Sequence, residues 1–288
     1  MKRILKKTND DALVGIVTAI LLIGLIVLVI SIIQVVYVPI IMEQREAEHM
    51  DRVAEQFGFL TSVIDDQAAD GKKGIPIASF VTLGSKELPV LVSSKAYGTL
   101  EVLENSCMIT IENESQTIKY PIGTIEYSSA NAYYLDQSYI YETGAMIVDQ
   151  SQGNKMMVTP GFFTDYNKTD NVVNISFNVV NISSIGFKTI ASGFGTYGIQ
   201  TEYGYISSNI IFTDVRNMTI TTYFKNAWFA FITSSLIEEG LNSEPSSPQF
   251  TLTDIGPSIK LKFLSNLTVN ISIKIIEIFA QVGPGWVS

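Results

Sequence analysis

The sequence predicts an α+β protein. A long N-terminal helix, first transmembrane and then a stalk, precedes a mainly antiparallel, β-sandwich-like outer domain with one helix near 226–240. Three observations predict this. No charged residue occurs from Ala12 to Met42, directly after a start in which Lys2, Arg3, Lys6 and Lys7 are basic. The helical periodicity then continues to about Asp66. From Ile75 onward, apolar residues recur at every second position instead.

Residues 1–10 read as a cytoplasmic basic segment and 11–42 as a transmembrane helix. An uncharged helix of that length runs about 46 Å, against about 30 Å for a hydrocarbon core. The positive-inside rule puts the N-terminus in the cytoplasm and everything after the helix outside. The expected localisation is the cell membrane, single-pass, with the lipid bilayer as partner. A cleaved signal peptide would have an apolar core of about 7–15 residues and a small-x-small cleavage site. Here the run is about twice that length and ends Val-Tyr-Val-Pro-Ile-Ile-Met-Glu, which favours a retained anchor. Pro39 predicts a kink at the outer membrane surface.

Residues 43–72 read as an amphipathic stalk helix and linker. Met50, Val53, Phe57, Leu60 and Ile64 form a one-sided stripe, and Glu48, Asp51, Arg52 and Glu55 fill the other face. The stripe needs a cover: the protein's own outer domain, or the same stripe of a second subunit. Gly71-Lys72-Lys73-Gly74 then ends the helix. The single histidine, His49, lies here among acidic residues and reads as a solvated helix residue rather than a catalyst.

Residues 73–288 read as an extracytoplasmic β-rich domain. The strand candidates are Ala78–Leu83, Gly98–Leu103, Cys107–Ile111, Thr117–Pro121, Ala145–Asp149, Lys155–Val158, Val173–Val180, Asn217–Phe224, Ile259–Leu264 and Leu267–Phe279. Glu112-Asn113-Glu114-Ser115 reads as a turn, and many short strands between turn signals imply antiparallel sheets. Asn226 to Gly240 breaks the pattern, with Trp228, Phe231, Ile232, Leu236 and Ile237 at helical spacing. Asn226 is the expected N-cap and Gly240 the expected C′ residue. Glu244-Pro245-Ser246-Ser247-Pro248 reads as a loop.

Composition narrows the function classes. The chain has 288 residues, 47% of them hydrophobic, and a formal net charge of −9. Four of its cations precede the apolar helix, so the outer part is more acidic still. That argues against nucleic acid as a partner. A lone cysteine, Cys107, excludes an internal disulfide and reads as a small buried hydrophobe in a strand.

Seven Asn-x-Ser/Thr sites occur, at Asn113, Asn167, Asn174, Asn181, Asn217, Asn266 and Asn270. All lie on the side predicted to be outside, where glycans are added. Alternation places Asn174, Asn217, Asn266 and Asn270 opposite the apolar faces of their strands. Asn113 and Asn167 fall in turns, and Asn181 follows a strand.

Patterns that carry chemistry are weak. Gly193-Phe194-Gly195-Thr196-Tyr197-Gly198 has a G-x-G-x-x-G shape but no strand-to-helix context, so it reads as a loop. Asp165-Tyr166-Asn167-Lys168-Thr169-Asp170-Asn171 offers oxygen ligands without the spacing of an EF-hand. Asp65-Asp66 and Glu238-Glu239 sit at helix ends. No catalytic, cofactor-binding or metal-ligating set is assigned, no cofactor is expected, and the chain does not read as an enzyme.

The basic stretch, followed by Asp10-Asp11-Ala12-Leu13-Val14-Gly15-Ile16-Val17 and a long apolar helix, resembles the N-terminal region of archaeal type IV pilin-like proteins. The stretches Gly123–Tyr127, Tyr139–Ile147 and Asn226-Ala227-Trp228 are similar to membrane-anchored archaeal surface proteins with such N-termini. The resemblance implies a surface protein anchored by its helix, with self-association through that helix. It departs from the family pattern at two points. Lys6-Lys7-Thr8-Asn9 has no Gly or Ala at the junction, and no Glu precedes Glu43. The expectation is a membrane-anchored, glycosylated structural or interaction protein. The alternative is an adhesin or envelope-layer-binding module that recognises a glycan or protein.

Overall fold

A computed structural model describes residues 10–84, 96–243, 248–264 and 267–283. The chain opens with one uninterrupted rod. Helix α1 covers Asp10–Ile32, a π-helical turn covers Ile33–Tyr37, and α2 covers Val38–Asp70. The π turn lies directly before Pro39, where the sequence predicts a kink. Pro39 has no N–H, and its ring crowds the carbonyl four residues earlier. Widening the preceding turn relieves that crowding, and the Val38 N–H bonds back to the Ile33 carbonyl. The rod ends where Gly71 takes the left-handed conformation (φ 63°) and bonds to the Gln67 carbonyl.

The rest of the chain is strand-rich with one short helix, giving an α+β architecture. The first seven strands are β1 (Ile77–Thr82), β2 (Tyr97–Asn113), β3 (Thr117–Ala130), β4 (Gln137–Glu142), β5 (Ala145–Gln150), β6 (Gly153–Val158) and β7 (Gly161–Asn167). Then follow β8 (Val172–Ser184), β9 (Ile190–Gly193), β10 (Thr196–Phe212) and β11 (Val215–Thr221). Helix α3 (Lys225–Glu238) precedes β12 (Phe250–Ile255), β13 (Ser258–Phe263) and β14 (Thr268–Val282).

The smaller sheet runs β1-β10-β14-β8-β7. The larger runs β12-β13-β11-β2-β3-β4-β5-β6, with β9 added beside β2. Pairing is antiparallel except between β14 and β8, which run parallel from Thr268↔Val172 to Ala280↔Ser184. The predicted strands Gly98–Leu103 and Cys107–Ile111 are one strand, β2, with a bulge at Glu104–Ser106 and Asn105 at φ 56°. The pattern did not mark β4, β7, β9, β10 or β12 as strands. Gly193–Gly198 is a loop only at Phe194-Gly195, because Gly193 ends β9 and Thr196–Gly198 open β10 and pair with β1; Asp165–Asn171 is the end of β7 and the turn that follows it.

The described residues form two large cores and a small cluster of Val38 and Met42 against Tyr133. The sandwich core gathers Ile109, Ile140, Phe177, Ile220, Trp228 and Ile273, among others. The helix core gathers the α2 stripe with Leu100, Tyr127, Tyr141, Val180 and Ile278. Adjacent residues of one strand enter different cores: Ile140 and Tyr141, Val179 and Val180, Ile275 and Ile276. Successive side chains on a strand point to opposite faces. Strands β4, β8 and β14 are therefore covered on both sides where the cores meet.

Helix α3 closes the sandwich core with Trp228, Ile232 and Leu236. Its cap differs from the expectation. Asn226 sits in the first turn, and the Ala227 N–H is received by Asn154 Oδ1 at 2.8 Å, from the start of β6. Gly240 takes a positive φ (85°) just past the helix, as expected.

A carboxylate lies beneath this helix. Glu142 is 1% exposed and accepts from Trp228 Nε1 at 2.6 Å and from Thr222 Oγ1 at 2.9 Å. Cys107, buried as expected, is its neighbour. Burial pushes the Glu142 carboxyl up to about 7, against the pull of the hydrogen bonds from Trp228, Thr222 and Cys107. The folded state thus holds this proton more tightly than the unfolded chain, whose carboxyl titrates near 4.5. The stabilisation is complete below that value and is lost as the pH rises through about 7. Its full size is about 3 kcal/mol. The thermal midpoint of the wild type is expected to fall across this window, and Glu142→Gln to flatten the fall. An unchanged slope in the variant would remove Glu142 as its source.

Candidate functional site: the apolar helix and its junction with the head

The first functional feature is what the fold leaves uncovered. Among the described residues, one helix is long and apolar enough to cross a membrane. Within it, Leu13 is 63% exposed, Leu21 68%, Leu25 59% and Ile30 56%. Apolar side chains line this helix all round, so no face of it is marked for packing against the head.

Further along, the same helix becomes the spine of the head. Met50, Val53, Phe57, Leu60 and Ile64 are each 1% exposed or less. They pack against residues of both sheets, including Val81, Leu83, Ile125, Tyr139 and Ile276. The Phe57 ring lies 6.2 Å from the Tyr139 ring. Residues 43–70 are therefore not a free stalk but run through the head. Of the two covers considered for the stripe, the protein's own domain is the one present.

A row of polar contacts fastens the helix to the head. Glu46 is fully buried, and its carboxylate receives the backbone N–H groups of Ala132, Tyr133 and Tyr134 at 3.2, 2.7 and 2.7 Å. Gln56 Oε1 receives the Thr82 N–H at 2.8 Å. Tyr141 donates to Asp65 at 2.9 Å, and Gln67 donates to the Thr201 carbonyl at 2.7 Å. Burial holds the Asp65 carboxyl above its usual range; Asp66 adds to this and the Tyr141 bond opposes it. His49 corrects the sequence reading. It is only 4% exposed, and its Nε2 lies 3.3 Å from the Tyr127 hydroxyl. That hydroxyl donates to the Leu83 carbonyl, which leaves Nε2 as the donor to Tyr127. Burial holds the imidazole below its usual range, so it is a neutral structural link. A helical wheel could not show this, because every partner lies far away in sequence.

The glycosylation candidates separate by environment. Asn167 and Asn174 are exposed, and Asn113, Asn217 and Asn270 are half-buried. Asn266 lies outside the described residues. Asn113 Oδ1 receives the Gln116 N–H at 2.8 Å, which builds the expected turn. Asn270 Nδ2 donates to Asn174 Oδ1 across the parallel pair at 3.0 Å. Asn217 Nδ2 donates to Glu112 at 2.8 Å.

Asn181 corrects the expectation that it follows a strand and faces water. It lies within β8, where the two sheets cross. Its Oδ1 receives the Gly123 N–H at 2.7 Å, and its Nδ2 donates to Glu277 at 2.8 Å. Ser183 donates to the same Glu277 oxygen at 2.9 Å. A Cβ at position 123 would collide with the Ile182 carbonyl oxygen, so the crossing requires glycine. The nitrogen that would carry a glycan is thus committed to Glu277 of the neighbouring strand, while Oδ1 makes the link to the other sheet.

No family model, curated protein or solved structure matches the chain, so the geometry alone carries its functional reading.

Two substitutions test this junction by denaturant unfolding. Asn181→Ala is expected to cost about 1–3 kcal/mol, because it strips partners from a buried N–H and a buried carboxylate. Asn174→Ala, on the exposed face, should stay within about 0.5 kcal/mol. Equal effects at the two sites would show that the crossing is not held by Asn181. Phe57→Ala should cost about 3–5 kcal/mol as a core truncation. A change below about 1 kcal/mol would mean that the stripe does not carry the head.

Proposed function

We propose that the protein is a single-pass, membrane-anchored surface protein of the structural or interaction class, with its basic N-terminus inside and its β-rich head outside. One observation carries this reading. The apolar helix is uncovered along the whole run from Leu13 to Ile33, with exposures from 36% at Ile33 to 68% at Leu21, while the head builds two large cores of its own. Apolar surface on that scale calls for lipid or another helix. Lys2, Arg3, Lys6 and Lys7 set the orientation. The plan is pilin-like, since one helix serves as both anchor and spine. Asn167 and Asn174 are the sequons best placed to carry glycans. The stripe is covered within a single chain, which supports a subunit that folds alone and offers only its anchor helix for self-association.

Cys107 is buried, so an introduced thiol can report topology against a silent background. Ser115 lies exposed at the tip of the β2–β3 hairpin. In intact cells with a permeable envelope, Ser115→Cys is expected to react with a membrane-impermeant maleimide. Reaction only after lysis would overturn the orientation. The double change Leu22→Arg and Leu25→Arg should release the protein from membranes, at about 2.5–3.5 kcal/mol per arginine near the helix centre. Full retention would reject the spanning helix. After membrane shearing the chain is expected in the pellet, and its recovery in fibres would overturn the single-subunit reading.

A further inference from the structure

The structure places a set of aromatic loop tips beside the outer end of the anchor. We propose that the head does not stand off the bilayer. It sits on it, with the β3–β4 loop (residues 131–136) and the Tyr97–Phe194 pair in the headgroup layer of the membrane that holds α1. This rests on reading α1 as a spanning helix.

The first argument is a ruler. A hydrocarbon core of about 30 Å takes about 20 helical residues, which from Leu13 reaches Ile32. The headgroup layer adds about 5–7 Å, or four to five residues, which reaches Tyr37. The head's first hold on the helix is at Val38, 1% exposed, and Met42, fully buried, which pack with Tyr133. The loop therefore begins where the headgroup layer ends, and no aqueous gap remains. Beyond Val38, Ile40 and Ile41 are still 59% and 40% exposed. Moving the helix inward to cover them carries the loop deeper.

The second argument is the chemistry at that level. Leu135 is 39% exposed, Tyr97 43%, Phe194 47% and Tyr37 58%. Tyr133 and Tyr134 are half-buried. The Tyr97 and Phe194 rings meet edge to face at 5.4 Å. Tyr97 pairs with Ala130, the residue before the loop, and Phe194 lines a cavity with Arg45 and His49 of the helix. These groups thus share one end of the head. Tyrosine presents an apolar ring and a polar tip, the combination enriched at membrane–water interfaces. The third argument is stiffness. Glu46 fixes three consecutive N–H groups of the loop to the helix, so the loop follows the helix wherever the bilayer sets it.

The test uses the full chain in phosphatidylcholine vesicles, with a nitroxide on one introduced cysteine at a time. Leu135→Cys reports the loop, Leu22→Cys the anchor, and Phe229→Cys, 39% exposed on α3, the water-facing head. Collision with oxygen and with a water-soluble nickel chelate is measured for each. The proposal expects nickel access at position 135 several-fold below that at 229, with oxygen access between those of 229 and 22. Phe194→Cys should behave like Leu135→Cys, which guards against a local effect of one label. Nickel access at 135 and 194 equal to that at 229, with 22 still rich in oxygen, would show a head that stands clear and would overturn the proposal alone. Water-like values at 22 would overturn the spanning helix and the seated head together.

Discussion

The apolar stripe of α2 runs about 21 Å from Met50 to Ile64, and it needs cover from several directions. A single twisted sheet covers one side of a helix. Here strands of both sheets contribute, with Val81 and Ile276 from the smaller and Leu100, Tyr127 and Tyr141 from the larger. To reach the helix, those sheets present one face to it and the other to the sandwich core. That is why β4, β8 and β14 are apolar on both sides and why the sheets must cross closely. The crossing in turn demands a glycine at 123 and a side chain such as Asn181 that supplies both an acceptor and a donor.

The buried polar groups sit at the seams this arrangement creates. Glu46 joins helix to loop, and Glu277 joins β14 to β8 beside the point where Asn181 meets the larger sheet. Glu142 joins the larger sheet to α3. Each is satisfied by donors from a separate segment. A buried carboxylate with correct partners is specific, because losing one partner leaves a costly charge unpaired. These groups fix which segments meet, while the two cores supply most of the stabilisation.

Much of this was legible in the sequence, for a simple reason. Where one face of a segment meets water, the period of its apolar residues shows through. That holds for the stripe from Met50 to Ile64, for Val173, Ile175 and Phe177 in β8, and for Val269, Ile271 and Ile273 in β14. It fails where both faces are covered. Tyr139-Ile140-Tyr141 shows no alternation, and β4 went unmarked. It fails again in β10, where register shifts at Tyr203–Tyr205 and Ile206–Ser208 break the period. The junction residues were hidden for another reason. Glu46, His49 and Asn181 are ordinary polar residues in local context, and only partners brought in by the tertiary fold make them structural. Asn181 was misread because the strand continues past the point where its polar face turns inward.

The unbroken rod from Asp10 to Asp70 has a mechanical consequence. With α1 read as a spanning helix, as proposed above, no flexible linker separates the bilayer from the head, and the helix would act as a lever. α2 has 33 residues and extends about 50 Å. A tilt of about 20°, common for membrane helices, moves its far end sideways by about 17 Å. Mismatch with the lipid thickness is one determinant of helix tilt, so on that reading a change in the bilayer would be transmitted as a lateral swing of the outer sheets. The π turn before Pro39 is the one place in the rod where the hydrogen-bond ladder is already loosened. Bending there would uncouple the swing from the lipid.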